Sequence, residues 1–407
     1  MMQVRTLSNL IEEYGGIIQT GPFGSQLHQA DYTDEGVPVV MPKDIVSGRV
    51  NESTVARIPE EKAMQLSWHL LKAGDIVFPR RGTISKCALI DESQEGFFCG
   101  TGCLKIEIPH EVYSARFLYY YLGLRQTVEW LEKNAVGTTM LNLSAKIVGN
   151  LQVPMVDLST QNHIADILST YDDLIENNRR RIQLLEQAAR LLYKEWFVHF
   201  RFPGHEHVKI KDGVPEGWER KTAFDVMEVL SGGTPKTKIP EYWDGGIPFF
   251  TPKDAVDYAY VFETEKTITE EGSRNCNSRL YPKDSVFITA RGTVGKINLA
   301  QTAMAMNQSC YALVARPPLN QHYLYFALVD AVDQFRSRAV GAVFDAIIRD
   351  TFKLIPFVVP DEKLIAMFTE YVSQILSQID NLSTQIRKLA QARDLLLPRL
   401  MDGEIAV

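Results

Sequence analysis

Two short steps in this chain carry the residues best suited to chemistry. Arg81-Gly82-Thr83-Ile84-Ser85-Lys86 returns as Arg291-Gly292-Thr293-Val294-Gly295-Lys296, an offset of 210 from 81 to 291. In each copy a guanidinium stands beside a glycine, where a phosphate backbone can approach closely, and a hydroxyl and an ammonium follow. The same offset of 210 relates Pro38-Val39-Val40-Met41-Pro42-Lys43-Asp44-Ile45 to Pro248-Phe249-Phe250-Thr251-Pro252-Lys253-Asp254-Ala255. A third pair of polar turns, Gly21-Pro22-Phe23-Gly24-Ser25 and Ser231-Gly232-Gly233-Thr234-Pro235-Lys236, is rich in backbone N–H and hydroxyl donors. The candidate DNA contacts are therefore Ser25, Lys43, Arg80, Arg81, Thr83 and Lys86 in the first half. In the second half they are Thr234, Lys236, Lys253, Arg291, Thr293 and Lys296. Each also has a structural reading, glycine for a turn or arginine for an ion pair. As a set they point to DNA, with phosphate contacts positioning a duplex and base-edge contacts reading it.

Catalytic patterns are missing from the sequence. The one Pro-Pro step, in Ala315-Arg316-Pro317-Pro318-Leu319, lacks the Asn or Asp before it and the aromatic after it that a DNA methyltransferase uses. No Gly-x-Gly-x-x-Gly follows a strand, and there is no phosphate-cradling Gly-Lys-Ser/Thr loop or Gly-x-Ser-x-Gly elbow. Glu60-Glu61-Lys62 and Glu219-Arg220-Lys221 imitate a nuclease Glu-x-Lys, but three-residue matches arise by chance. No metal site is expected either. Cys99 and Cys103 have loose ligand spacing, yet Cys103 opens an apolar run with a counterpart at Cys310, the pattern of a small buried strand residue. His205 and His207 lie in a Pro/Gly-rich connector without further ligands. No catalytic residue and no cofactor is assigned to the chain.

The elements that must position these loops follow from the bulk properties. At 407 residues the chain exceeds what one core supports, and its 45% hydrophobic and 23% charged content is that of a globular protein. No apolar run reaches the ~18–20 residues of a membrane span. Met1 to Thr6 lacks a signal-peptide pattern, so a cytoplasmic location without membrane attachment is expected. The net charge of −7 argues against a grip on nucleic acid through bulk positive charge. Residues 1–156 hold 14 Lys+Arg against 17 Asp+Glu, so any DNA role rests on local patches or on a partner that shares the phosphates. Strand-like runs (Val37–Val40, Asp75–Phe78, Lys86–Leu89, Cys103–Ile108) alternate with helical stretches (Glu60–Leu71, Ser114–Leu131). In both halves the Arg-Gly-Thr step follows a strand, opened by Asp75 or Asp284.

Each half then runs into a long amphipathic helix. Ile164, Leu168, Tyr171, Ile175, Asn178, Ile182, Leu185, Ala189, Leu192 and Trp196 alternate in steps of 4 and 3, a heptad seam. Ile365, Phe368, Val372, Ile375, Ile379, Leu382, Ile386, Leu389 and Leu396 repeat the rhythm, with Arg393 in one slot and Pro398 expected to end the helix. Two seams in one chain most simply pack on each other, antiparallel, and Asn178 is the sort of polar residue that fixes register. The expected class is α+β: two similar mixed α/β domains separated by two long helices in an antiparallel coiled coil, an internal pseudo-two-fold repeat. The expected bounds are 1–156 for the first domain, 157–200 for the central helix, 201–218 for a linker, 219–358 for the second domain and 359–402 for the C-terminal helix.

Taken together, the chain resembles the specificity subunit of Type I restriction-modification enzymes. The resemblance covers the whole chain. It rests on Gly21-Pro22-Phe23-Gly24-Ser25 and Ser231-Gly232-Gly233-Thr234-Pro235 opening the two halves, and on the paired Arg-Gly-Thr steps. Leu192-Tyr193-Lys194-Glu195-Trp196-Phe197 and Leu397-Pro398-Arg399-Leu400-Met401-Asp402-Gly403-Glu404-Ile405, closing the two helices, complete it. The resemblance implies two target recognition domains, each reading half of a split double-stranded DNA sequence, with the helices as a ruler for the spacer. It also implies docking of methyltransferase subunits that carry S-adenosylmethionine, and of an ATP-dependent restriction subunit. The alternatives are a DNA-modifying enzyme with degenerate motifs and a coiled-coil scaffold without a DNA role.

Overall fold

Short apolar runs punctuated by Gly and Pro form strands, and the two heptad seams form helices. The computed structural model describes residues 3–46, 48–137, 141–339, 346–405 and 407; Met1 and Met2 lie outside them. The chain divides into two compact units, Met1–Ile175 with Lys388–Val407, and Glu176–Arg387.

In the first unit a four-stranded antiparallel sheet has the order Ile17–Thr20, Cys103–Glu107, Ile76–Pro79, Ala88–Leu89. A three-stranded sheet orders Ala56–Ile58, Val37–Val40 and Phe98–Cys99, the last pair parallel. Val4–Thr6 pairs with Gln152–Pro154 and closes the domain. The second unit repeats this plan. Met227–Ser231, Cys310–Ala315, Val286–Thr289 and Ile297–Ala300 lie in the same order, with Tyr260–Val261 added in parallel at the edge. Thr267–Ile268, Trp243–Phe250 and Ala305–Met306 form the second sheet, again with a parallel pair, and Glu219–Thr222 closes on Pro356–Val359. The architecture is the duplicated α+β arrangement expected, and its mixed sheets are set by pairings between strands far apart in sequence.

The register corrects one detail of the repeat. Ile76 and Val286 occupy the same place in their sheets, so Asp75 corresponds to Ser285 and Asp284 to Gly74. Both Gly74 and Asp284 have left-handed backbones, φ +89° and +66°, as a tight entry into the strand demands. Two predicted helices are also shorter than expected. Glu60–Leu71 is helical only over Glu60–Gln65, followed by a 3₁₀ turn at Ser67–His69. Ser114–Leu131 splits at Gly123 into Ala115–Leu122 and Arg125–Asn134.

The first long helix spans Leu158–Tyr193 and widens into one π turn at Lys194–Val198. Asp157 caps it, accepting from Thr160 N at 3.0 Å. The second spans Glu362–Met401, beyond Pro398, which therefore does not end it. Proline removes a single amide donor, and so close to the terminus the ladder recovers when Asp402 N donates to the Pro398 carbonyl at 2.9 Å. Within the first unit, Ile164, Ala165 and Leu168 share a core with Leu400 and Met401, and Arg393 pairs with Asp172. Arg393 thus fills its seam slot as half of an ion pair. Within the second unit, Asn178 Nδ2 donates to Gln385 Oε1 at 3.3 Å, while Trp196 and Phe197 pack on Phe368. Partner numbers fall as helix numbers rise, which makes the pairing antiparallel. Ile164, Leu168, Ile175, Asn178 and Ile182 are buried, as are Ile365, Phe368, Val372, Ile379 and Leu382; Tyr171, Leu185, Ile375 and Ile386 are half-buried.

The passage 201–218 is folded. Phe202 and Trp218 are buried, Trp218 meets Phe197, Phe200 and Phe202, and a two-stranded hairpin joins Ile210–Lys211 to Val214–Pro215. His205 and His207 are exposed there. Among the described residues, no group of three or more His, Cys, Asp or Glu could hold a metal, and no helix is long and apolar enough to cross a membrane.

Candidate nucleic-acid interface

In the first unit the polar loops converge on one end of the main sheet. Gly21 N donates to the Cys103 carbonyl at 2.9 Å, and a Cβ on Gly21 would lie 1.9 Å from the Gly100 carbonyl, so only glycine fits there. Gly100 N donates to Val40 O at 3.0 Å, and a Cβ on Gly102 would meet the Pro42 ring at 2.8 Å, which brings in the Pro-Lys-Asp turn. Asp44 holds that turn by accepting from Met41 N at 3.0 Å and from the Thr54 hydroxyl at 3.0 Å. Arg80 N donates to Gly102 O at 2.9 Å, and its guanidinium lies 5.5 Å from the ring of Phe23, which is 59% exposed. Burial, followed by repulsion from Arg81, pulls the Arg80 guanidinium below its ordinary pKa.

The second unit builds the same convergence from different residues. A Cβ on Gly232 would lie 2.1 Å from the Asn307 carbonyl, and Gly233 N donates to Met306 O at 3.0 Å. Asn307 N donates to Phe250 O at 3.0 Å, and Ala290 N to Ser309 O at 2.8 Å. Thr293 Oγ1 donates to Pro252 O at 3.0 Å, fixing the Arg-Gly-Thr step on the Pro-Lys-Asp turn. Asp254 accepts from Thr251 N at 2.8 Å, as Asp44 accepts from Met41 N.

The candidate residues separate by availability. Arg81, Thr83, Lys86 and Ser25 are exposed in the first unit, and Arg291, Thr293 and Lys236 in the second. Among the described residues neither Arg81 nor Arg291 has an ion pair. Gly82 and Gly292, beside them, have φ +78° and +80°. Lys43 leans on the Thr54 carbonyl at 3.3 Å, and Lys253 stands 3.8 Å from Glu265 with its side chain 80% exposed. Lys296 is tied to Asp257, and the Thr234 hydroxyl donates to Gln308 Oε1. Each unit thus offers an exposed guanidinium beside a glycine backbone within a loop cluster.

A family model described as the Type I restriction modification DNA specificity domain matches this chain twice, over residues 28–187 and 215–392. The chain belongs to this family. It is similar to the Type I restriction enzyme MjaIX specificity subunit of Methanocaldococcus jannaschii, 26% identical over 396 residues, covering 93% of this chain and 88% of the relative. The HindI specificity subunit of Haemophilus influenzae is 23% identical over 400 residues, covering 82% and 87%. The crystal structure of a Type I restriction-modification S subunit from M. genitalium superposes with a TM-score of 0.57 at 18% identity, covering 98% of this chain and 96% of that one. At that identity the likeness is one of fold. As a member of the specificity family, the chain recognises DNA targets and is a non-catalytic subunit.

Seen as a recognition surface, each loop cluster contains a fourth loop that the sequence reading passed over: Gly100-Thr101-Gly102 in one unit and Asn307-Gln308-Ser309 in the other. The hydrogen bonds equate them, since Gly100 and Asn307 donate to Val40 and Phe250, while Gly102 and Ser309 accept from Arg80 and Ala290. The sequence signal was the Cys103–Cys310 correspondence immediately downstream. The tripeptides themselves share no residue, so repeat matching skips them. Cys99 and Cys103 are buried strand residues, and burial pushes the Cys99 thiol up to about 12.

Proposed function

We propose that each unit binds one half of a bipartite double-stranded DNA target, with the paired helices setting the length of the unread spacer. The observation that carries this reading is the duplication of one loop cluster, with an exposed arginine beside a glycine, on two units of the same topology. A two-part reader suits a two-part site. The recognition domains are residues 1–156 and 219–358, with the helices at 157–200 and 359–402.

On this reading Arg81 and Arg291 bear on phosphates, supported by Lys86 and Lys236. The net charge of −7 leaves part of the phosphate contact to partners. Those partners are methyltransferase subunits docked on the helices, which supply S-adenosylmethionine and the methylating site, and an ATP-dependent restriction subunit, all in the cytoplasm. The test is to map methylated positions across the host genome with and without the gene. A split motif that disappears with the gene supports the reading. A methylation pattern indifferent to the gene overturns it, and methyl transfer by the purified chain alone would point to the enzymatic alternative.

A further inference from the structure

The loops common to both units cannot by themselves tell two different half-sites apart. Pro-Lys-Asp and Arg-Gly-Thr stand in both, so whatever they contact is contacted twice. The fourth loop is held by the same backbone hydrogen bonds in the two units yet has unrelated side chains. In the first unit it is Gly-Thr-Gly, with no side chain longer than Thr101. In the second it is Asn307-Gln308-Ser309.

Within the second loop the side chains are not equivalent. Asn307 turns its carboxamide oxygen inward, accepting from Ser309 N at 3.0 Å. Gln308 is exposed at the tip, and its Oε1 accepts from the Thr234 hydroxyl. That hydroxyl belongs to the Ser-Gly-Gly-Thr-Pro turn, so the turn holds the glutamine head group. A carboxamide held at one oxygen lone pair keeps its other lone pair and two N–H donors, the set that pairs bidentately with adenine N6 and N7. Pre-ordering the side chain also reduces the entropy lost on binding.

We propose that Gln308, positioned by Thr234, is a base-reading residue of the second unit and selects adenine at one position of its half-site. The assignment rests on the bipartite reading above. The first unit has no counterpart, because Thr101 stands at the equivalent place.

The experiment is methylome mapping in a host whose gene carries Gln308→Ala, Gln308→Glu or Thr234→Val, with the complete restriction-modification complex present. Gln308→Ala should relax one adenine position in one half-site, with discrimination there falling about 5- to 150-fold. The other half-site and the spacer should be unchanged. Gln308→Glu, an acceptor of the same size, should move the preference at that position towards cytosine, whose N4 amino group donates. Thr234→Val should weaken discrimination at the same position and no other. An unchanged motif for both Gln308 variants overturns the proposal, as does an even loss across all sequences, which marks a phosphate contact. If loss of methylation by Gln308→Ala coincides with a lowered melting temperature, Gln308→Glu decides alone. A wild-type motif that is not bipartite would instead overturn the underlying reading.

Discussion

Arg81 and Arg291 are the residues on which the DNA reading can be most simply tried. Both are exposed, without ion pairs among the described residues, and both precede a glycine with a left-handed backbone. Because the feature is common to both units, it fits a phosphate contact. Arg81→Ala or Arg291→Ala should weaken binding of the complex on every sequence and reduce the salt dependence by about one unit of slope. Binding measured between low and high salt checks this. Unchanged affinity with a lower melting temperature would show the arginines to be structural. His69 is 3% exposed, its Nε2 has no partner among the described residues, and its ring lies 5.6 Å from Phe98. Burial, then the nearby Lys105 ammonium, lowers its pKa to about 4. Lys105 itself faces Asp75 at 3.6 Å and Glu107 at 3.8 Å. A histidine kept neutral when folded contributes stability above its unfolded pKa of about 6.5, and loses it as pH falls towards 4. The protein should lose stability over that window, and His69→Leu should flatten the difference in unfolding midpoint between pH 7 and pH 5. An equal pH dependence in the variant would contradict this. The paired arginines were legible because identity repeats at a fixed offset. Gln308 was not, because a reader that differs between the halves leaves no repeat to find.

At the scale of elements, the helices were the most legible part of the chain, since a seam in steps of 4 and 3 has one geometric meaning. Their ends were harder. Pro398 was expected to stop the second helix, yet a proline three residues from the helix end costs one hydrogen bond and leaves Leu400 and Met401 buried against Ile164 and Leu168. Short helices erred for a related reason: Glu60–Leu71 and Ser114–Leu131 have helical periodicity throughout, but tertiary pairing takes Leu70 into a bridge with Phe98, and Gly123 breaks the other. The antiparallel pairing also makes the ruler testable. Matched insertions of seven residues in both helices keep the heptad phase and add about 10 Å of rod. The preferred spacer should lengthen by roughly three base pairs, at ~3.4 Å each, with both half-sites intact. A methylated motif that keeps its original spacer would show that the helices do not set it.

For the whole molecule, the repeat announced two similar domains, but their strand order was beyond the sequence. Ile17–Thr20 pairs with Cys103–Glu107, more than eighty residues later, and no local pattern predicts such a contact. The fold nevertheless explains the repeat: the same four-strand order brings the polar turn, the Pro-Lys-Asp turn and the Arg-Gly-Thr step to one sheet end in each unit. If each unit is a complete reader, it should be exchangeable. The most direct measurement is to replace residues 6–154 with the equivalent domain of a relative whose motif is known, and to map methylation in the host. The account predicts that one half-site changes to the relative's, while the other half-site and the spacer stay as they were. A motif altered in both halves, or in neither, would contradict it.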